Sequence, residues 1–332
     1  MLKTDNSALV LIISNEHDIH LTPVIEKLSE RGVSFFRLNT ENLFSKYLID
    51  ISYREGKLIG SITNQVSKDS VRIENITSVW ERRPMAPMNT FTPVHEDYLS
   101  VIATEQKSFY QQFRYALKDI KWIGYPLDDI QASSKIYQKI IAQEVGLKIP
   151  KTIITNRLSS LKNFTEEGHN FALKPMKADS IQIGDDHQMV FYSRKVSKEQ
   201  LNSLNEDGFV NAPNFIEEYI EKKFEIRLTM VGTTAFAAKI ESQAMSEGKG
   251  KEDWREGYDH GISFTKINLD EEILNKCIDY LQRLNLNFGC FDFVVTNEDE
   301  FIFLECNPNG QWLWIEEDTK MDISGAIAQW LS

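Results

Sequence analysis

Asp292, Glu305 and Asn307 are the residues whose types and spacing point most directly to chemistry. Asp292 stands inside one apolar run, Gly289-Cys290-Phe291-Asp292-Phe293-Val294, and Glu305 inside another, Phe301-Ile302-Phe303-Leu304-Glu305-Cys306-Asn307. Residues two apart on a strand share a face, so Glu305 and Asn307 point together. The polar stretch Thr296-Asn297-Glu298-Asp299-Glu300 between the runs predicts a hairpin that brings Asp292 to the same cluster. Carboxylates gathered on an inner face repel one another and are costly to bury. A divalent cation removes that cost, and an all-oxygen set suits Mg²⁺, which takes one or two carboxylates together with substrate phosphates. The structural alternative is that Glu305 pairs with an arginine and Asp292 serves as a cap.

The elements that must position these residues follow from hydrophobic periodicity. Residues 8–14 read as a buried strand, Leu21, Val24, Ile25 and Leu28 as one face of a helix ended by Gly32, and 33–38 as a second strand. Short strands are expected near 47–53, 57–63 and 78–82, and a long helical pattern over 95–119. Ser133-Ser134 is a helix cap ahead of Ile136, Tyr137, Ile140, Ile141 and Val145. Strands follow at 152–155 and 171–174, then a breaker-rich polar loop at 178–188, a strand at 189–192 and a helix at 197–205. The last part alternates strands at 214–219, 224–231 and 234–241. A charged segment, 245–261, interrupts them before a strand at 262–267, a helix at 270–285, strands at 288–296 and 300–306, and a helix near 322–331. This order predicts α+β lobes rather than one doubly wound sheet.

The 332 residues suffice for two or three lobes. The net charge of −12 argues against a nucleic-acid binder, which needs a basic face. No run reaches the ~18–20 apolar residues of a membrane span. Three cysteines without a C-x-x-C pair fit a reducing cytoplasm and no zinc site. No P-loop, G-x-G-x-x-G, H-E-x-x-H or G-x-S-x-G motif occurs. His17-Asp18-Ile19-His20 is the only close histidine pair, and it reads as a polar loop.

Lys135, Lys174-Pro175, Glu218-Tyr219-Ile220, Glu225-Ile226-Arg227, Asp292 and Glu305-Cys306-Asn307-Pro308 stand in the order and approximate spacing of the ATP-grasp superfamily, which residues 125–332 resemble. The resemblance implies two α+β lobes clasping ATP. Lys135 and Lys174 would then neutralise phosphate charge, and the segment Glu217, Glu218, Tyr219 and Ile220 would bind the nucleotide, its backbone edge pairing with adenine. Glu225 would accept the ribose hydroxyls. Asp292, Glu305 and Asn307 would hold Mg²⁺, in two ions, and Arg227 would face the transferred phosphoryl group.

The N-terminal region carries a second resemblance. Leu9 to Ser14, Asp18, Arg31-Gly32, Phe36-Arg37-Leu38-Asn39-Thr40 and Val79-Trp80-Glu81-Arg82-Arg83-Pro84 look like the pre-ATP-grasp domain of graspetide (microviridin-type) peptide maturases. Asp253-Trp254-Arg255 and Asn307-Pro308-Asn309-Gly310-Gln311-Trp312 resemble the same family. The division expected is an N-terminal α/β pre-ATP-grasp domain over 1–125, a central ATP-grasp lobe over 126–210 and a C-terminal lobe over 211–332. Such enzymes phosphorylate Asp or Glu side chains of a ribosomally made precursor peptide. They then join these to Thr or Ser hydroxyls as ω-esters, or to Lys amines as ω-amides, closing macrocycles.

The resemblance further implies a cytoplasmic homodimer, with a leader and an acidic core peptide as partner and no nucleic acid or membrane. Arg227, Lys239 and Arg255 are the cations expected at the acceptor carboxylate, and residues 178–188 the expected lid. Arg82 and Arg83 would touch the peptide or brace the lobes, and Trp254, Trp312 and Trp314 would line its groove. Two other readings use the same residues: an ATP-grasp ligase that extends a free amino acid or peptide, and a non-catalytic nucleotide-dependent peptide-binding module.

Overall fold

Leu9–Ser14 (β1) is apolar on both faces, and both faces are covered. The chain continues through α1 (Leu21–Glu30), β2 (Ser34–Asn39), β3 (Tyr47–Arg54), β4 (Lys57–Asn64), β5 (Ser70–Arg72), β6 (Ser78–Glu81), α2 (Leu99–Ala116) and β7 (Lys121–Ile123). Strands β2-β1-β6-β7 form a parallel sheet. Val10 and Ile12 pack on Leu21, Val24 and Leu28 of α1, while Leu11 and Ile13 face Tyr110 and Phe113 of α2 and the antiparallel β3-β4-β5 meander. This computed structural model describes residues 8–87, 95–176, 180–183, 187–190, 193–244, 251, 254 and 261–332.

Two helices lead out of this region, α3 (Pro126–Ala132) and α4 (Lys135–Glu144). The Ser134 hydroxyl caps α4 by accepting from the Tyr137 amide. A smaller lobe follows: β8 (Thr152–Thr155), α5 (Leu158–Phe164), β9 (Asn170–Lys174), β10 (Ser180–Ile183), β11 (His187–Val190), β12 (Arg194–Ser197), α6 (Lys198–Asn202), α7 (Glu206–Phe209) and β13 (Asn214–Glu218). Its antiparallel sheet runs β12-β9-β13-β8 over a core of its own made by Leu158, Leu161, Phe171, Leu201 and Ile216.

The last lobe holds β14 (Phe224–Val231), β15 (Thr234–Ile240), β16 (Phe264–Ile267), α8 (Glu271–Arg283), β17 (Phe288–Val295), β18 (Phe301–Asn307), α9 (Leu313–Thr319) and α10 (Ile323–Leu331). The sheet order is β16-β15-β14-β17-β18, antiparallel throughout. On one face Ile226, Leu228, Phe291 and Phe293 pack against Cys277, Tyr280 and Leu281 of α8. The other face is divided. Val231, Phe288 and Cys290 join α9, α10 and α1 in a core that also contains Val10 and Trp80. Its remaining part carries the polar residues discussed below.

The α+β architecture expected from the order of elements is the one observed. Two local readings change. The segment 178–188, expected to be a loop, contains most of the β10–β11 hairpin; its breakers hid the alternation of Ile181 and Ile183 with polar residues. Residues 178–179 and 184–186 of that segment lie outside the described ones. The helix expected over 197–205 ends at Asn202. Strands β5, β7 and β12 and helices α3, α5 and α9 are too short to show in periodicity.

Candidate active site

Arg227, Asp292 and Glu305 form one row across three adjacent strands. Arg227 is the register partner of Asp292 on β17, and Asp292 that of Glu305 on β18. Simple alternation would not achieve this. Phe301 and Phe303 have the same parity as Glu305, yet Phe303 lies in the α8-facing core. The register shifts between Asp292 and Phe293, so Leu304 is a bulge residue that turns Glu305 to the opposite face from Phe303. The bulge is tied down from α4. Lys139 Nζ donates to the Leu304 carbonyl at 2.9 Å, and the Gln138 amide bonds both the N–H and the carbonyl of Cys306, at 3.0 and 2.7 Å.

Arg227 is buried. Its Nη1 donates to both carboxylate oxygens of Asp292, at 2.9 and 2.8 Å, and its Nη2 to the Gln311 carbonyl at 3.1 Å. Burial opposes the guanidinium charge, but the Asp292 carboxylate outweighs it and the pKa is raised. Lys135 Nζ lies 3.9 Å from Glu305 Oε2. The Asn307 side-chain oxygen accepts from the Asn309 amide at 3.0 Å.

A second charged group lies between the lobes. Glu217, 1% exposed, receives Lys139 Nζ on Oε1 at 2.6 Å and Lys174 Nζ on Oε2 at 2.5 Å. Burial alone would raise the Glu217 carboxyl; Lys174 and Lys139 reverse that and hold it below its ordinary range. Burial pushes Lys139 down to about 8 despite Glu217, with Lys174 adding repulsion. Glu217, expected in the nucleotide segment, therefore points inward and fixes two lysines.

A cleft of about 760 Å³ opens between the two lobes. Lys174, Glu218, Tyr219 and Ile220 of the smaller lobe and its exit, and Glu225, Asp292 and Glu305 of the last lobe, line it. Lys222 Nζ holds the Glu225 carboxylate at 2.6 Å. Beyond Asp292 and Glu305 lies a larger cavity of about 1310 Å³, whose wall includes Arg83, Arg227, Asn307, Gln311 and His20. The two spaces share Trp254, Asp292 and Glu305. Groups bound against this shared wall, one in each space, would meet across these carboxylates.

Among the described residues no group of three or more His, Cys, Asp and Glu side chains could hold a metal ion. The donors are the two carboxylates of the shared wall, Asp292 and Glu305, and the Asn307 carboxamide beside them in the second cavity. That set fits an ion whose shell is completed by phosphate and water, as Mg²⁺ prefers, and does not fit an all-protein cage.

The sequence-based site residues divide as follows. Lys174, Glu217, Glu218, Tyr219, Ile220, Glu225, Arg227, Asp292, Glu305 and Asn307 line the two spaces, and Lys135 lines a separate small hollow that shares Lys174, Glu217 and Glu305 with the first. Lys239 does not. Its register partner is Ile226, whose side chain points into the α8-facing core, so Lys239 leaves the sheet on the face opposite Arg227. There it bonds Glu241 at 2.5 Å and lies 4.5 Å over the Phe224 ring. Arg255 lies outside the described residues. Trp254 and Trp314 line the second cavity, whereas Trp312 is core.

Sequence reasoning missed Lys139, Lys222 and the burial of the Asp18–His20 pair. Lys139 stands four residues after Lys135, one helical turn on the same face, which is the signal that could have revealed it. Arg82 is a brace: buried, it donates through Nη1 to Asn309 Oδ1 at 3.2 Å and to the Gly310 carbonyl at 3.1 Å.

The family model of the MvdD pre-ATP-grasp domain matches residues 9–131, and that of the RimK-like ATP-grasp domain matches residues 132–331. No curated protein matches. Among solved structures, a Chryseobacterium gregarium RiPP-associated ATP-grasp ligase, in complex with ADP and a leader and core peptide, is 26% identical. The match covers 98% of this chain and 96% of that one, with a TM-score of 0.88. The macrocyclase MdnC of Microcystis aeruginosa, bound with precursor peptide MdnA, is 25% identical over 98% and 99% of the two chains, with a TM-score of 0.79. The macrocyclase MdnB of the same organism is 25% identical over the same shares, with a TM-score of 0.74.

Proposed function

Because the chain belongs to the RimK-like ATP-grasp family and carries an MvdD-type pre-ATP-grasp domain ahead of it, we propose that it is an ADP-forming peptide ligase that closes macrocycles in a ribosomally made precursor. It activates Asp or Glu side chains of an acidic core and joins them to Thr or Ser hydroxyls, as ω-esters, or to Lys amines, as ω-amides. The observation that carries this reading is the pair of spaces meeting at Asp292 and Glu305, one lined by nucleotide-type residues and the other large enough for a peptide segment.

The roles proposed are those that the resemblance implies, and the positions of the residues support them. Lys135 and Lys174 balance phosphate charge, with Lys139 and Glu217 setting the height of Lys174. The Glu218–Ile220 backbone meets the adenine, and Glu225 accepts the ribose hydroxyls. Asp292, Glu305 and Asn307 would hold Mg²⁺, in two ions. When bound, Mg²⁺ supplies charge neutralisation and Lewis acidity at the transferring phosphoryl group. Arg227, reaching from the same row into the second cavity, orients the acceptor carboxylate and then stabilises its acyl phosphate. Arg255, by resemblance alone, is proposed as a second cation for that carboxylate. Phosphorylation is needed because a free carboxylate has no adequate leaving group. Residues 178–188 are the proposed lid.

The domain division at 125 and 210, a homodimer and a cytoplasmic location belong to the same proposal. Three free buried cysteines and the lack, among the described residues, of any helix long and apolar enough to cross a membrane are compatible with that location.

The test is incubation with ATP, Mg²⁺ and the peptide encoded by a neighbouring short reading frame, read by mass spectrometry. Each ring removes the mass of one water, with one ADP formed per ring. A mass gain instead would mean ligation of a free amine, and ADP release without mass change would overturn ring closure. Size-exclusion chromatography with light scattering reads the dimer.

A further inference from the structure

We propose that His20 is the general base that takes the proton from the attacking hydroxyl or amine during ring closure, with Asp18 and Arg82 as its positioning residues. The proposal rests on the peptide-ligase reading above.

His20 is 5% exposed and forms part of the wall of the second cavity, the one that also contains Arg227 and Asn307. Its Nδ1 lies 3.1 Å from Asp18 Oδ1, and the same oxygen accepts from the His20 amide at 3.0 Å. The other Asp18 oxygen faces Arg82 Nε at 3.3 Å and the Ser14 hydroxyl at 3.5 Å. Burial disfavours the Asp18 charge, but His20 and Arg82 more than restore it, so its pKa is lowered. A charged carboxylate at Nδ1 holds the proton there and leaves the lone pair on Nε2. The Trp312 ring, edge-on at 5.4 Å between centroids, limits the imidazole's rotation.

Nε2 is buried and has no hydrogen-bond partner among the described residues. A buried acceptor left this way is unfavourable, so the arrangement lacks a donor. Nε2 has almost no exposed surface, so a substrate O–H or N–H in the adjoining cavity, a donor of the right kind, reaches it only after a small movement of the wall. Burial also lowers the imidazole pKa, against the pull of Asp18, which keeps the ring neutral and able to accept a proton.

The other carboxylates of this wall are less suited. Asp292 is bound by Arg227, and Glu305 faces Lys135. Glu317 is exposed, and no side-chain hydrogen bond among the described residues orients it.

In the step, Nε2 takes the proton as the substrate oxygen or nitrogen adds to the acyl carbon. The bond from that carbon to the phosphate oxygen then breaks, and its electron pair leaves with phosphate. The imidazolium releases its proton to phosphate or solvent.

The test separates activation from closure. His20→Ala and His20→Gln are assayed with the neighbouring-frame peptide, ATP and Mg²⁺, with and without hydroxylamine. Hydroxylamine is already an unprotonated amine at neutral pH and intercepts an acyl phosphate without an enzymatic base. Both variants are expected to lose ring closure about a hundredfold or more, while peptide hydroxamate and ADP form at the wild-type rate. Imidazole added to His20→Ala is expected to restore part of the closure. Closure persisting at the wild-type rate overturns the proposal, as does hydroxamate falling in parallel with closure or Glu317→Gln causing the selective loss. Absence of both ring closure and hydroxamate with the wild-type protein would instead sink the peptide-ligase reading itself.

Discussion

Arg227 and Asp292 are register partners on adjacent strands, and a single guanidinium nitrogen, Nη1, bonds both carboxylate oxygens. The arginine thus supplies the counter-charge that a cation would otherwise bring to Asp292. It also separates two tasks, since its Nη2 is committed to the Gln311 carbonyl in the loop that follows Asn307.

Arg227→Ala is expected to reduce kcat by about 10²–10³-fold, the scale for removing one preorganised charge-stabilising donor. The variant is expected to fold with reduced stability, because the apolar core beneath the row is untouched while Asp292 loses its counter-charge. Asp292 and Glu305 then face one another without the arginine, so Mg²⁺ raises the melting temperature of the variant more than that of the wild type. Differential scanning fluorimetry with and without Mg²⁺ checks this, and equal shifts in the two proteins would contradict it.

Glu217→Ala leaves Lys139 and Lys174 facing each other in a buried space. A loss of about 3 kcal/mol is expected, as for one side of a buried ion pair left uncompensated. Urea denaturation measures it. The KM for ATP should rise as well, since Lys174 loses its anchor; an unchanged KM would show that Glu217 acts on stability alone.

Lys139 gives a pH signature. Its folded pKa is depressed to about 8 from 10.5. Between those values the unfolded chain holds the extra proton, so stability from this group rises with pH across the window and is lower beneath it. Glu217, depressed below its ordinary value, contributes stability that is lost as pH falls through its folded pKa. Melting temperatures recorded from pH 7 to 10 should show the upward Lys139 contribution, and Lys139→Met should remove it. The same slope in the variant would assign it to another group.

Gly310→Ala introduces a Cβ 2.5 Å from Cys290 Cβ and 2.9 Å from Arg227 Nη2. Neither neighbour can yield easily, because Cys290 is core and Arg227 is held by Asp292. A cost of about 1–3 kcal/mol from overpacking is expected, with a larger fall in kcat than in peptide affinity. A crystal structure of the variant with Arg227 unmoved, together with full activity, would refute the close-packing argument.

Much of the fold was legible because strands and amphipathic helices announce themselves by period. The grouping of Asp292, Glu305 and Asn307 was also legible, but the alternation argument alone would have set Glu305 beside Phe303. The bulge at Leu304 makes the grouping real, and no residue at that position announces a bulge. Lys239 failed for a related reason: its face depends on register across β14 and β15, which the residue's own neighbours do not reveal. Lys239→Ala is accordingly expected to turn over the peptide at nearly the wild-type rate, and a steep loss in a steady-state assay would restore it to the site. Glu217 and Lys139 meet only after β13 and α4 dock, so no local pattern marks them as a pair.

The core around Trp312 has a consequence for how such enzymes can be recombined. Val10, Leu21 and Trp80 from the start of the chain interleave there with Phe288, Cys290 and Ile327 from its end, and Ser78 Oγ donates to the Leu331 carbonyl across the same seam. Cutting the chain where its two sequence families meet would split that core and expose both halves to solvent. The natural unit of exchange is instead the small β8–β13 lobe, whose apolar interior is self-contained. A chimera built by transplanting that lobe keeps the seam whole. One built by transplanting the N-terminal domain must bring matching partners for Arg82 and Ser78 with it.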